Sequence, residues 1–188
     1  EVRAIARTGL HYTESPFDRE RYERLLELST QKYAEVLGIE PEVLRARFLA
    51  DAGYATAKVG VDGAVFDDEG RALLIRRADD DTWALVGGWC DPGEAPQDTI
   101  TREFAEEVGA EARIEQLVGT YGVPASVSNT THGLVAIVFL CSVASARFTP
   151  APHEVAEVAW CDIDAVPVWH HAHESFARAA REVWARGR

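Results

Sequence analysis

Glu103, Glu106 and Glu107 stand at i, i+3 and i+4, a spacing that brings three carboxylates to one face of a helix. Ile100, Phe104 and Val108 form a neighbouring apolar stripe that would anchor such a helix to the body of a domain. Holding like charges this close costs roughly 0.2–0.5 kcal/mol per exposed pair, too little to separate a metal site from a solvated acidic face. The surrounding residues favour a metal site. Gly87-Gly88 and Pro92-Gly93-Glu94 make turns before the helix, where backbone can approach another group closely. Arg102 lies four residues before Glu106, placed to orient one carboxylate, and Glu94 lies in the loop, able to fold back onto the helix face. Several carboxylate oxygens are what Mg²⁺ or Mn²⁺ requires, with water and substrate phosphates completing the octahedron.

The elements that must position these groups follow from periodicity. The acidic helix is expected from about Pro96 to Val108, closed by Gly109. Ahead of it, Val59, Val61, Ala64-Val65-Phe66 and Leu73-Leu74-Ile75 are strand material, with a hairpin turn at Asp68-Glu69-Gly70. A short strand from Trp83 to Val86 is expected to end at Gly87-Gly88. Residues 112–122, 133–145 and 154–162 supply three more strands, the second apolar on both faces. His170 to Trp184 closes the chain as a helix with Phe176, Ala180, Val183 and Trp184 on one side. Mixed strands with a helix inserted between them imply an α/β or α+β sandwich rather than a barrel or bundle. The first fifty residues read as helical, with Asp18 as an N-cap, Gly38 as a stop and Pro41 opening a further helix.

Charge excludes some partners. Nineteen basic residues against 31 acidic ones leave a net charge of −12. Extended nucleic acid and acidic membranes are disfavoured, because both are held mainly by Lys and Arg. The acidity is concentrated: residues 78–111 carry ten acids against Arg102 alone. A phosphate-bearing small molecule is compatible with that field only if cations neutralise its approach. Three separated cysteines, Cys90, Cys141 and Cys161, form neither a CxxC pair nor a disulfide framework, so a cytoplasmic setting is expected. No run of eighteen apolar residues implies a membrane span.

The stretch from Gly88 to Ala110 resembles the Nudix signature at every fixed position. Gly88 is followed by five residues, Glu94, seven residues, Arg102-Glu103-Phe104, one residue, Glu106-Glu107, one residue and Gly109-Ala110. The resemblance covers roughly residues 58–167 and implies an α/β/α sandwich with a mixed sheet. It also implies hydrolysis of the pyrophosphate in a nucleoside diphosphate linked to another moiety, with Mg²⁺ or Mn²⁺ as cofactor. Carried over, Glu103, Glu106 and Glu107 resemble the metal-binding carboxylates and the Gly88 carbonyl a backbone ligand. Arg102 resembles the residue that orients the glutamates, and Glu94 the supporting loop glutamate. Many members have Pro where this chain has Val86, a change that loosens the turn without removing a ligand.

The segments Ile5–Leu10, Phe17–Leu25, Lys58–Phe66 and Gly87–Glu94 resemble a bacterial Nudix subgroup with an N-terminal helical domain. That resemblance implies residues 1–55 as a helical dimerisation element, residues 56–188 as the hydrolase domain, and a homodimer. It puts CDP-choline-like substrates first and ADP-ribose-like ones close behind. The alternatives are a nucleoside triphosphate pyrophosphohydrolase and a nucleotide-binding sensor, the latter having no need for three intact carboxylates.

In the implied chemistry, cations bridge the phosphates and lower the pKa of a water that attacks in line, while a carboxylate takes the proton. Glu106 or Glu107 is the first choice for that base, and Glu154 or Glu157 on a later loop the second, although either of the latter could equally be an exposed strand-edge charge. For substrate binding, Arg76 and Arg77 end a strand, and alternation lets only one of them face a phosphate. Trp89 stands equally as a stacking surface for a base or as a roof over the core. His132 belongs to an irregular loop spanning Tyr121 to His132, where ordinary loop polarity is the stronger reading. His170, His171 and His173 lack a completing ligand beyond Glu174 and read as the solvated start of a helix. Cys90 has no His partner at motif spacing and is not expected to act as a nucleophile.

Overall fold

The computed structural model describes residues 2–38, 40–50, 56–128, 130, 132–144 and 147–187. Its chain divides into two compact units, Glu1–Thr56 and Ala57–Arg188. The boundary expected between residues 55 and 56 adjoins residues 51–55, which lie outside the described residues, as does residue 145 at the end of an expected strand.

The first unit holds α1 (Val2–Tyr12), α2 (Pro16–Leu37) and α3 (Pro41–Ala50). Ala6, Leu26, Ala34, Leu44 and Phe48 make its core, with Tyr33 set edge-on to Phe48. The α2 cap differs from the expected one. Pro16 occupies the first turn, so the Ser15 hydroxyl, not Asp18, is the cap and accepts from the Asp18 N–H at 3.3 Å. Gly38 ends α2 in the left-handed conformation, as expected.

The second unit is an α/β sandwich. Its strands are β1 (Lys58–Ala64), β2 (Ala72–Arg77), β3 (Trp83–Ala84), β4 (Val86–Trp89), β5 (Ala112–Val123), β6 (Leu134–Val143) and β7 (Val155–Cys161). The helices are α4 (Pro96–Val108), the short α5 (Ala125–Ser128) and α6 (His173–Arg186). One sheet is mixed, in the order β4-β1-β6-β5 with β1 and β6 parallel; the other is antiparallel, in the order β3-β2-β7.

Alternation along β2 sets the layers. Leu73 and Ile75 share a core with Ile100, Phe104 and Val108 of α4, whereas Ala72 and Leu74 share one with Phe176, Ala177 and Ala180 of α6. Side chains of successive strand residues leave opposite faces, so α4 and α6 cover opposite sides of the strands. Gly63 of β1 is required for this packing, because a Cβ there would overlap the Phe104 ring.

The hairpin turn expected at Asp68-Glu69-Gly70 forms: the Gly70 N–H donates to the Asp67 carbonyl, the Asp67 N–H to the Arg71 carbonyl and the Leu73 N–H to the Val65 carbonyl, with Phe66 bridged antiparallel to Ala72. Both edges of β1 are taken, by β4 and β6, so β2 departs to pair with β7. The strand expected from Trp83 to Val86 breaks at Leu85. There the chain passes from the antiparallel sheet into the mixed one, and Gly87 and Gly88 lie inside β4 instead of ending it. Among the described residues no helix is long and apolar enough to cross a membrane.

Candidate active site

α4 presents its carboxylates because its apolar stripe is fully committed elsewhere: Ile100, Phe104 and Val108 are completely buried. Gly109 stops the helix with a left-handed residue, and the last carbonyls find partners on the segment before β7. The Val108 carbonyl accepts from the Thr149 N–H at 2.8 Å, and the Glu107 carbonyl from the Ala151 N–H at 3.1 Å. These bonds bring the loop that carries Glu154 to the carboxylate end of α4.

At the other side of the cluster, Arg102 ties loop to helix. Its guanidinium donates to Glu94 at 3.0 and 3.1 Å, to Glu103 at 2.9 Å, to Glu106 at 2.8 Å and to the Trp89 carbonyl at 3.3 Å. Glu94 also accepts from the Thr99 hydroxyl at 2.8 Å and the Asp91 N–H at 3.2 Å. Hydrogen bonds from Arg102, then from Thr99, hold the Glu94 carboxyl down at about 2. The same carboxylates push the Arg102 guanidinium above its ordinary value, Glu94 first.

The three helix carboxylates differ in setting. Glu106 is exposed on Arg102. Glu103 is buried and lies against Gly88, where a Cβ would overlap the carboxylate, so glycine is needed for the approach. Burial raises its proton affinity, opposed by Arg102. Glu107 is also buried, and its Oε2 accepts from the Gly87 N–H at 3.0 Å. Burial pushes Glu107 up to about 8, with Glu103 and Glu154 adding to the rise. Among the described residues no three His, Cys, Asp or Glu groups are gathered as a ready-made metal cluster. The donors are nevertheless hard oxygens, and a divalent cation between Glu103 and Glu107 would relieve the charge burial that raises both. The donor set fits Mg²⁺ or Mn²⁺.

Beside the carboxylates opens a cavity of about 540 Å³, with Gly87, Gly88 and Trp89 in its wall. Trp89 is 46% exposed, so it does not roof the core; the Lys58 ammonium stands 5.2 Å from its ring centroid. Arg77 lines the cavity and pairs with Asp79, whereas Arg76 pairs with Glu157 across the sheet and with Asp81. Glu157 is thereby engaged away from the carboxylates, while Glu154 acts electrostatically on both Glu103 and Glu107. His132 is half-buried before β6 and is not among the cavity-lining residues. Of the loop expected from Tyr121 to His132, residues 121–123 belong to β5, 125–128 form α5, and 129 and 131 lie outside the described residues.

This geometry is matched by comparison with known proteins. Residues 56–183 match the NUDIX domain, which spans more than half of the chain. The chain belongs to the Nudix family. Residues 1–48 match the UDP-X-like, N-terminal oligomerisation domain. The Nudix chain is 38% identical over 117 residues to YjhB of Bacillus subtilis (strain 168), a candidate ADP-ribose pyrophosphatase, covering 62% of this chain and 56% of that protein. It is 39% identical over 108 residues to a MutT-like protein of Streptomyces ambofaciens, covering 57% of this chain and 66% of the relative. The chain thus spans between about half and two thirds of these curated relatives. A crystal structure of a UDP-X diphosphatase superposes with a TM-score of 0.63 at 28% identity, covering 99% of this chain and 91% of that one. Members of the Nudix family generally use divalent cations.

Several residues of the Nudix cavity escaped the sequence reading. Asp62, on β1, is 7% exposed and lines the cavity. The imidazoles expected in solvent are not there: His170 and His173 keep only 16% and 15% of their side-chain surface. His170 Nδ1 lies 3.1 Å from both the Thr82 hydroxyl and Asp80, and His173 Nδ1 accepts the Leu85 N–H at 3.1 Å. The reason is the sheet change at Leu85, which leaves a buried N–H without a ladder partner and calls for a side-chain acceptor. The available signals were a lone carboxylate in the apolar run Val59–Phe66 and a histidine cluster next to an apolar helix face.

Proposed function

We propose that this chain hydrolyses the pyrophosphate bond of a nucleoside diphosphate linked to another moiety and releases a nucleoside monophosphate. The observation that carries the reading is Glu103 and Glu107, buried and set against Gly87 and Gly88, with a nucleotide-sized cavity opening along the same glycines. The relatives support ADP-ribose-like and UDP-linked substrates, whereas the CDP-choline-like class rests on the sequence resemblance alone.

Glu103, Glu106, Glu107 and the Gly88 carbonyl would hold the cations. When bound, Mg²⁺ or Mn²⁺ neutralises the phosphate charge and acidifies water. Arg102 keeps Glu103 and Glu106 on the face beside Gly88 by joining them to Glu94 and the Trp89 carbonyl. Glu154, brought to the end of α4 by the Ala151–Glu107 backbone bond, is the loop carboxylate best set to take a proton, with Glu107 the helix alternative. Arg77, on the cavity wall, supplies positive charge to a phosphate. The helical unit is assigned to self-association, giving a homodimer.

The test is a panel of ADP-ribose, UDP-sugars, CDP-alcohols and nucleoside triphosphates with Mg²⁺ or Mn²⁺ and product identification. Release of a nucleoside monophosphate from at least one diphosphate compound is expected, and Glu107→Gln should reduce it by about a hundredfold or more with the melting temperature retained. Metal-dependent binding across the panel without turnover would replace the hydrolase with a sensor.

A further inference from the structure

The Asp62 carboxyl is a buried acid at the cavity wall with no hydrogen bond among the described residues. Its one ion-pair-range neighbour there is His173, whose Nδ1 lies 3.5 Å from Asp62 Oδ1. That nitrogen is already occupied: it accepts the Leu85 N–H, which places the ring proton on Nε2 and leaves no Nδ1–H for Asp62. Asp62 faces the cavity with no donor from the described protein groups, so a ligand N–H there would replace water as its partner.

The surroundings define that ligand. A carboxyl with no cation beside it repels phosphate, so the anionic part of a substrate belongs at the glycine and α4 end. Leu85, Phe176 and Leu134 give the cavity apolar walls, and Trp89 presents a half-exposed ring at its rim. Apolar walls with an aromatic plate fit a flat ring. A flat ring that must also offer N–H to Asp62 is a nitrogenous base.

We propose that Asp62 is a specificity-determining residue: it accepts a hydrogen bond from the amino or amide N–H of the substrate's nucleobase, seated in the cavity that Asp62 and Trp89 both line. The orientation of the ligand rests on the hydrolase reading above, since that reading places the diphosphate at Gly88. The inference concerns binding and is separable from turnover.

The experiment is calorimetric titration of the full chain, with Mg²⁺ present, by AMP, CMP, GMP, UMP, ribose 5-phosphate and phosphocholine. At least one base-bearing monophosphate should bind about tenfold or more tightly than ribose 5-phosphate, the worth of one hydrogen bond to a buried carboxyl. Asp62→Asn should erase that preference or change which base leads, while ribose 5-phosphate binds as before. Asp62→Ser serves as a second variant should the first fail to fold, with the same expectation. The inference is overturned if neither substitution alters base preference, if no base improves on ribose 5-phosphate, or if phosphocholine is the ligand whose binding is lost. Failure of the hydrolase reading looks different: base preference intact, with no product formed.

Discussion

His173 accepts the Leu85 N–H at 3.1 Å, and Leu85 is the residue at which the chain leaves one sheet for the other. One imidazole on α6 therefore holds the crossing that delivers Gly87 and Gly88 to the carboxylates of α4. The bond needs a neutral ring. Burial supplies it, pushing His173 down to about 3, and burial also pushes the adjacent Asp62 up to about 7.

These two groups give stability opposite slopes with pH. Asp62 has its folded value raised, so its contribution is full below about 4 and is lost as pH rises through about 7. His173 has its folded value lowered, so its contribution is full above its ordinary 6.5 and is lost as pH falls towards about 3. Between those limits the slopes oppose each other. Asp62→Asn should remove one of them. Its unfolding free energy minus that of the unsubstituted chain should rise between about pH 4 and pH 7, by on the order of 4 kcal/mol, then level off. Urea unfolding at a series of pH values measures this, and a flat difference would remove the buried-acid assignment.

Arg102 makes the second prediction. Its guanidinium serves Glu94, Glu103, Glu106 and the Trp89 carbonyl at once, which a single ammonium cannot reproduce in the same geometry. Arg102→Ala and Arg102→Lys should both weaken Mg²⁺ binding and lower kcat/KM by about 10- to 100-fold, since the lesion is in orienting the carboxylates. Melting temperature should fall as well, because Glu94 and Glu103 keep little of their surface and would be left without their guanidinium partner. A lysine variant with full activity would show that positive charge alone suffices.

Local patterns were legible where one element sufficed to define them. The spacing of Glu103, Glu106, Glu107 and the apolar stripe predicted α4, and the Gly109 stop followed from conformation. Asp62 and His173 were illegible for the converse reason. They are 111 positions apart, and only the pairing of β1 with β4 and the docking of α6 bring them together. The sheet change at Leu85 was hidden similarly, because a strand running Trp83–Trp89 and two strands broken at one residue share the same alternation. Alternation separates Arg76 from Arg77 without saying which one lines the cavity; that Arg77 does so follows from Arg76 pairing with Glu157 across the β2–β7 ladder.

The last prediction concerns protons released by cation binding. Glu107 is held at about 8 in the cation-free protein, chiefly by burial, and so carries a proton at neutral pH. Its folded value lies above the unfolded one, so its stabilising contribution is lost as pH climbs from about 4.5 through 8. A cation bound to this carboxylate must displace the proton, and affinity for Mg²⁺ should therefore rise by up to about tenfold per pH unit between 6 and 8, then flatten. Calorimetry in two buffers of different ionisation enthalpy should register close to one proton released per Glu107 engaged at pH 7. Glu107→Gln should abolish both the release and the pH slope while leaving the Gly87 N–H an oxygen acceptor. Binding with an unchanged slope in that variant would place the cation away from Glu107 and move the site towards Glu103 and Glu106.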